Sequence, residues 1–287
     1  MTAKIISGKE IATQLREEMK VEVNKLQEQG VTPGLAVILV GDDPASHSYV
    51  KGKKKGCEEV GIYNRSIEVP ATLTEAELLQ MIDELNNDAA IHGILVQLPL
   101  PAHIDEKKVI ERISPDKDVD GFHPINVGRM MTGQRAFISC TPFGILKMVQ
   151  LQNIEIEGKH VVVVGRSNIV GKPVGQLFLN ENATVTYCHS RTKNLKEMTK
   201  QADILIVAVG RANFIGKDHI KEGAVVIDVG VNRDETTGKL VGDVIFDEGK
   251  EVASFITPVP GGVGPLTITM LLYNTIESAK YELEARS

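Results

Sequence analysis

The residues with the most chemical promise lie in Tyr49–Lys55, YVKGKKK, where four lysines fall within seven positions of a chain whose formal net charge is -6. A lysine serves as a base only when its amine is neutral at working pH, and burial or a neighbouring cation brings that about. Helical geometry decides which lysine is so placed. Taking residues 46–60 as a helix and counting from Tyr49 at about 100° per residue, Val60 falls at about 20°, Lys53 at about 40°, Ser46 at about 60°, Cys57 at about 80° and Val50 at about 100°. Lys54, Lys51 and Lys55 fall at about 140°, 200° and 240°, off this largely apolar arc, and are expected to be solvated. Lys53 lies inside the arc, one turn after Tyr49. Its stem could simply snorkel along the stripe. The sharper expectation is a partly desolvated amine that faces a cleft beside a tyrosine ring.

Three other stretches suit the same purpose. Gln97 ends the apolar run HGILVQLPLP, at the carboxyl edge of a sheet, where α/β proteins place ligands; an amide there could also merely cap the strand. Asp118 and Asp120 in DKDVDGFHP fall in a turn, a common structural setting for aspartate. TPVPGGVGPLT (257–267) leads into the last helix, with Pro265 expected at its first position. Gly261 and Gly262 in that loop permit close backbone approach to a ligand.

A second kind of site is written in VVVVGRSNIVGKPVG (161–175), which reads as a strand, a Gly-containing turn and a helix start. A dinucleotide turn wants G-x-G-x-x-G, so that backbone N–H groups approach the pyrophosphate at a helix N-terminus. This turn departs from that pattern: after Gly165, Ser167 replaces the second glycine, and the next glycine is Gly171, one residue beyond the third position. An NAD-selective site places an acid at the end of the following strand; this one ends Cys188-His189-Ser190-Arg191. Arg166 in the turn, with Ser190 and Arg191, suits the extra phosphate of NADP. The alternative for Arg166 and Arg191 is plain surface charge.

The elements that must carry these residues are legible as alternating apolar runs and amphipathic stretches. Strands are expected at 35–41, 65–69, 92–99, 160–165, 183–188, 202–210, 224–230 and 254–259, and helices at 46–60, 74–87, 142–150 and about 266–286. Thr74 followed by Glu77 forms a capping box. Runs so apolar imply strands buried on both faces, as in parallel sheets covered by helices. With 287 residues, the expectation is an α/β protein of two α/β domains around a cleft, the second of Rossmann type. A pI near 5.7 argues against nucleic-acid or membrane-surface partners. No run is long enough to span a bilayer, and the first residues lack the apolar core of a signal peptide. Three distant cysteines, Cys57, Cys140 and Cys188, imply a reducing, cytoplasmic setting with neither a disulfide frame nor a structural metal.

Taken in order, YVKGKKKGCEEVGI, GILVQLPLP, PDKDVDGFHPIN, VGRSNIVGKPVG and TPVPGGVGPLT resemble the bifunctional methylenetetrahydrofolate dehydrogenase/methenyltetrahydrofolate cyclohydrolase family. The resemblance implies NADP-dependent oxidation of 5,10-methylenetetrahydrofolate, then hydrolysis of the methenyl product to 10-formyltetrahydrofolate. It implies Lys53 as the main catalytic residue, Tyr49 stacked along the folate, Gln97 tuning Lys53 and Asp120 holding the pterin. Gly261, Gly262 and Pro265 would border the folate, and Gly165, Arg166, Ser167, Ser190 and Val231 would contact NADP. It also implies a homodimer joined through its nucleotide domains, no metal, and a folate substrate with or without a polyglutamate tail. The last helix would return to the first domain, making that domain 1–141 plus 266–287 and the nucleotide domain 142–265. The competing reading is a shikimate-type NADP-dependent dehydrogenase of a small acid or alcohol. A non-enzymatic nucleotide-binding regulator would leave Lys53 on the apolar arc unexplained.

Overall fold

A computed structural model describes residues 2–234 and 236–286. In chain order the strands are β1 (Lys4–Ile5), β2 (Gly34–Val40), β3 (Tyr63–Val69), β4 (Gly93–Val96), β5 (His160–Val164), β6 (Thr184–Cys188), β7 (Ile204–Val207), β8 (Val225–Asp228), β9 (Asn232–Arg233), β10 (Leu240–Val241) and β11 (Phe255–Ile256). The α-helices are α1 (Gly8–Glu28), α2 (Pro44–Val60), α3 (Glu75–Asn86), α4 (Glu106–Arg112), α5 (Pro124–Met131), α6 (Cys140–Leu151), α7 (Gly171–Asn180), α8 (Leu195–Thr199), α9 (Phe246–Val252) and α10 (Val263–Arg286). They form two compact units. Gln14–Cys140 with Ile268–Ser287 is the lysine unit; Met1–Thr13 with Thr141–Thr267 is the glycine-turn unit.

The lysine unit is built on a parallel sheet ordered β3-β2-β4. Every residue of β2 and β4 is buried, as expected of continuous apolar strands. β3 departs from that expectation. It is an edge strand, YNRSIEV, and shows a mix of exposed and half-buried positions. On one face Ala36, Ile38, Val40, Ile94 and Val96 pack with Leu78, Ile82 and Leu85 of α3 and Val109 of α4. The capping box opens α3: Thr74 Oγ1 accepts from Glu77 N, and Glu77 Oε2 accepts from Thr74 N at 2.8 Å. α2 begins with Pro44 after the cap Asp43, whose carboxylate accepts from Ser46 N at 2.8 Å. α10 is tied to this unit by Asn274 Nδ2, which donates to the carbonyls of Val119 (2.8 Å) and Ile138 (3.0 Å), and by Ser278 Oγ, which donates to His92 O (2.6 Å).

By their contacts, residues 2–13 group with the glycine-turn unit. There Lys4 and Ile5 pair in parallel with Phe255 and Ile256, and Ile6 is fully buried. α10 starts at Val263, so Pro265 is its third residue and not its first. The missing N–H costs nothing there, because the first four helical N–H groups have no intrahelical acceptor.

The glycine-turn unit carries a parallel sheet ordered β1-β11-β8-β7-β5-β6. β7 and β8 are buried along their whole length, and Val162, Val164, Leu205, Val207 and Val226 meet in one core with Ile215, Val244 and Ile256. The antiparallel β9/β10 ribbon was not expected, since its two-residue strands carry no readable period.

Candidate functional site: a buried lysine and a glycine turn

In the lysine unit the apolar arc of α2 comprises Ser46, Val50, Lys53, Gly56, Cys57 and Val60, all buried. Lys53 is 8% exposed, whereas Lys51, Lys54 and Lys55 are exposed. Gly56 keeps this face thin: a Cβ there would lie 3.1 Å from Leu272 Cδ1 of α10. The Lys53 amine donates to Gln97 Oε1 at 2.8 Å. Gln97 directly follows β4, its backbone N–H bonded to Ile38 O at 2.8 Å. Its own Nε2 donates to Leu98 O at 2.8 Å, which turns the amide oxygen toward the lysine. Burial pushes the Lys53 pKa down; the nearby Asp120 carboxylate and Cys140 thiol oppose that shift. Tyr49, one turn earlier, is 48% exposed and presents its ring at the surface.

The two aspartates of DKDVDGFHP part company. Asp118 is buried and accepts from Phe122 N (3.2 Å), His123 N (2.8 Å) and Asn126 Nδ2 (2.9 Å), as the structural reading of the turn requires. Burial pushes its pKa up to about 7. Asp120 is half-buried, and its environment is electrostatic: burial of the carboxyl raises its pKa, while Lys53 and a bond from the Cys140 thiol hold it down. Cys140 is thus a member of the cluster that the sequence did not mark. Its thiol also bonds Val119 O at 3.4 Å and is raised well above the usual thiol range, chiefly by burial. A lone cysteine before Thr141-Pro142 carries no local signal of this placement.

In the glycine-turn unit, Gly165 follows β5 at φ 135° and bonds Cys188 O through its N–H (2.8 Å), linking the turn to the end of β6. A Cβ on Gly171 would overlap Gly165 O and Arg166 N, so α7 is seated directly against the turn. Ser167, in the place of the middle glycine, has a role of its own. Its Oγ accepts from Val170 N and Gly171 N, both at 3.2 Å. Two of the N–H groups at the start of α7 are therefore capped from within the turn. Arg166, Ser190 and Arg191 are exposed. No acid stands at the end of β6; His189 N donates to Thr192 Oγ1 (2.8 Å) and Arg191 N to His189 Nδ1 (3.1 Å). Val231 follows β8 and is 51% exposed. In the loop before α10, Gly261 has φ 98° and its carbonyl accepts from Lys9 N (3.2 Å); Gly262 is buried and Pro265 half-buried. Among the described residues there is no group of three His, Cys, Asp or Glu side chains able to hold a metal, and no helix is long and apolar enough to cross a membrane.

Fold and site together define a two-unit α/β enzyme in which a Rossmann-type unit accompanies a unit built around a desolvated lysine. Two family models match the chain: the tetrahydrofolate dehydrogenase/cyclohydrolase catalytic domain over residues 6–120, and the NAD(P)-binding domain of the same family over residues 139–283. The bifunctional protein FolD of Bacillus anthracis is 71% identical over 280 residues, covering 98% of each chain. Among solved structures, the FolD methylenetetrahydrofolate dehydrogenase/cyclohydrolase of Campylobacter jejuni superposes with a TM-score of 0.96 at 50% identity, covering 98% of this chain and 99% of that one. The FolD enzyme of Trypanosoma brucei, solved with NADP and an inhibitor, gives a TM-score of 0.94 at 39% identity and covers 99% of both chains. The chain belongs to the tetrahydrofolate dehydrogenase/cyclohydrolase family.

Proposed function

We propose that the chain oxidises 5,10-methylenetetrahydrofolate with NADP and hydrolyses the resulting 5,10-methenyl cation to 10-formyltetrahydrofolate. The observation that carries this reading is the Lys53 amine, buried and bonded to an uncharged amide oxygen, with its pKa lowered. A cationic intermediate nearby would lower it further. Neutral Lys53 can then take a proton from the water that attacks the methenyl carbon; the adduct opens at its carbon–N5 bond, N5 receives a proton, and Gln97 holds the amine in place. Asp120 is suited to accept hydrogen bonds from the amino and N–H groups of a pterin, and the exposed Tyr49 ring offers a stacking face. Gly261, Gly262 and Pro265 are assigned to the folate border on family grounds.

The turn suits a dinucleotide: Gly171 seats closely on Gly165, and Arg166 and Ser167 between them are exposed. NADP, when bound, supplies the acceptor for the hydride of the methylene carbon. Gly165, Arg166 and Ser167 would hold it with Ser190 and Val231. Arg166 and Arg191 are the cations available to its extra phosphate, and the lack of an acid after β6 favours NADP over NAD. Hydride transfer asks of these residues chiefly that the reacting carbons be held in contact. On the family resemblance the working form is a homodimer joined through its glycine-turn units, in a compartment that keeps Cys57, Cys140 and Cys188 reduced; sedimentation velocity checks the first point. The direct test of function mixes the chain with 5,10-methylenetetrahydrofolate and NADP. NADPH absorbance should appear, and methenyltetrahydrofolate added alone should be consumed. Reduction of NADP that does not depend on folate would overturn the proposal.

A further inference from the structure

At the carboxyl edge of the six-stranded sheet stand two aspartates that the proposed chemistry does not use. Asp228 ends β8 and is 3% exposed; Asp243, shortly after β10, is fully buried. Oδ2 of Asp243 accepts from Val209 N (2.7 Å) and Gly210 N (3.0 Å), and its Oδ1 from Arg211 N (2.8 Å) and Asn232 Nδ2 (2.9 Å). Asp228 in turn holds the backbone of Asp243: its Oδ1 accepts from Asp243 N and Gly230 N, both at 3.0 Å, and its Oδ2 from Val244 N at 2.9 Å. Glycines make room for both carboxyls. A Cβ on Gly230 would overlap the Asp243 carboxyl, and one on Gly242 the Asp228 carboxyl.

The two carboxylates accept seven N–H bonds between them, which offsets the cost of burying like charges and fixes the backbone that donates. Burial, with the Asp243 charge adding to it, pushes the Asp228 pKa up to about 6. What the arrangement delivers is geometry. Segment 209–211 follows β7 and segment 230–232 follows β8, both at the edge where open α/β sheets bind nucleotides. Val231, an apolar side chain half in solvent, lies between Gly230 and Asn232, two of the residues that the carboxylates grip.

We infer that Asp243 is a positioning residue for NADP, fixing the backbone of Val209–Arg211 and the Asn232 side chain so that Val231 is presented to the nucleotide. The inference rests on the NADP reading above. Asp243→Asn preserves shape but sets an amide NH₂ against N–H donors, so at least one backbone N–H loses its acceptor whichever way the amide turns. Thr257 Oγ1, which accepts from Asp228 N at 2.8 Å, ties Asp228 to the loop before α10 as well, so Asp243 is the cleaner site to change.

The test uses the full chain in three measurements: calorimetric titration with NADP, dehydrogenase kinetics with NADP varied, and hydrolysis of methenyltetrahydrofolate without nucleotide. Asp243→Asn should raise Kd and KM for NADP about tenfold or more, lower the dehydrogenase kcat less, and leave hydrolysis within about twofold of the parent. NADP affinity unchanged by the substitution overturns the inference. So does a parallel loss of both activities with a fall in melting temperature, which would make Asp243 purely a folding residue. Should Asp243→Asn fail to fold, Asn232→Ala decides, with weakened NADP binding supporting the inference and unchanged binding overturning it. A parent chain that binds NADP but shows no folate-dependent reduction sinks the proposed function alone, and the titration still judges the anchoring. A parent chain that does not bind NADP sinks both.

Discussion

β2 and β5 are both interior strands of parallel sheets, and each leads into a helix, yet the two strand-to-helix steps are put to opposite uses. After β2, the helix α2 carries one amine inward, and what matters is a side chain, its burial and its partner Gln97. After β5, on the proposed reading, the turn at 165–171 works through its backbone, and what matters is the absence of side-chain atoms at Gly165 and Gly171. A site made of one desolvated amine works against the stability of its own fold. A site made of backbone is indifferent to most side chains around it but intolerant of a single Cβ. The first should lose chemistry and gain stability when its key residue is made apolar; the second should lose affinity.

The largest effect should follow Lys53→Met, which keeps the apolar stem and removes the amine. Hydrolysis of methenyltetrahydrofolate should fall about 10²–10⁴-fold, as for loss of a general base, and dehydrogenase activity should fall less, so methenyltetrahydrofolate accumulates in a coupled assay. The same variant should melt at or above the parent at neutral pH. Since the folded-state pKa of Lys53 lies below its unfolded value, the unfolded chain binds more protons between the two values, and this group's contribution to stability rises with pH there. Hydrolysis by the parent should correspondingly rise with pH along a limb whose midpoint lies below the ordinary lysine value of 10.5. Equal hydrolysis by Lys53→Met and parent would break the contrast between the units.

Next in size is Asp120→Asn. It replaces an acceptor by a donor, and should weaken folate binding about tenfold or more, lowering both activities without lowering the melting temperature. Asp118→Ala should do the reverse, costing about 1–3 kcal/mol of stability through its orphaned N–H donors. A folate-specific loss in Asp118→Ala would mean that the two aspartates are not divided as their bonding indicates. Arg166→Ala should weaken NADP about tenfold more than NAD, the scale of one charge-assisted phosphate bond; equal losses would assign Arg166 to the shape of the turn. The smallest effect belongs to Lys54→Met, an exposed neighbour of Lys53, which should change either activity less than about twofold, within the range of ordinary surface changes.

What could be read in advance was what is local. The capping box of Thr74 and Glu77 spans four residues, and the inward face of α2 follows from a fixed angle per residue, so both are set by short-range rules. The placement of residues 1–13 is set by a pairing of Lys4 with Phe255, for which two short strands far apart in sequence offer no pattern. Cys140 joins Asp120 only through tertiary packing. Asp228 and Asp243 had a faint signal, an acid interrupting the apolar runs AVVIDVG and LVGDVIF, but such an acid reads equally as a strand end. Pro265 was misplaced by two positions because a proline is acceptable anywhere in a helix's first turn, and so marks the start only loosely.

The close seat of Gly171 on Gly165 also bears on how this chain can diverge. The inner side of the glycine turn is sealed, since any Cβ at 171 meets backbone, so that position is closed to substitution. Ser190 and Arg191, by contrast, are exposed. Lineages drifting toward a different cofactor therefore have the exposed residues after β6 to explore, where charge can change while the fold stays as it is, and position 171 should stay glycine in all of them.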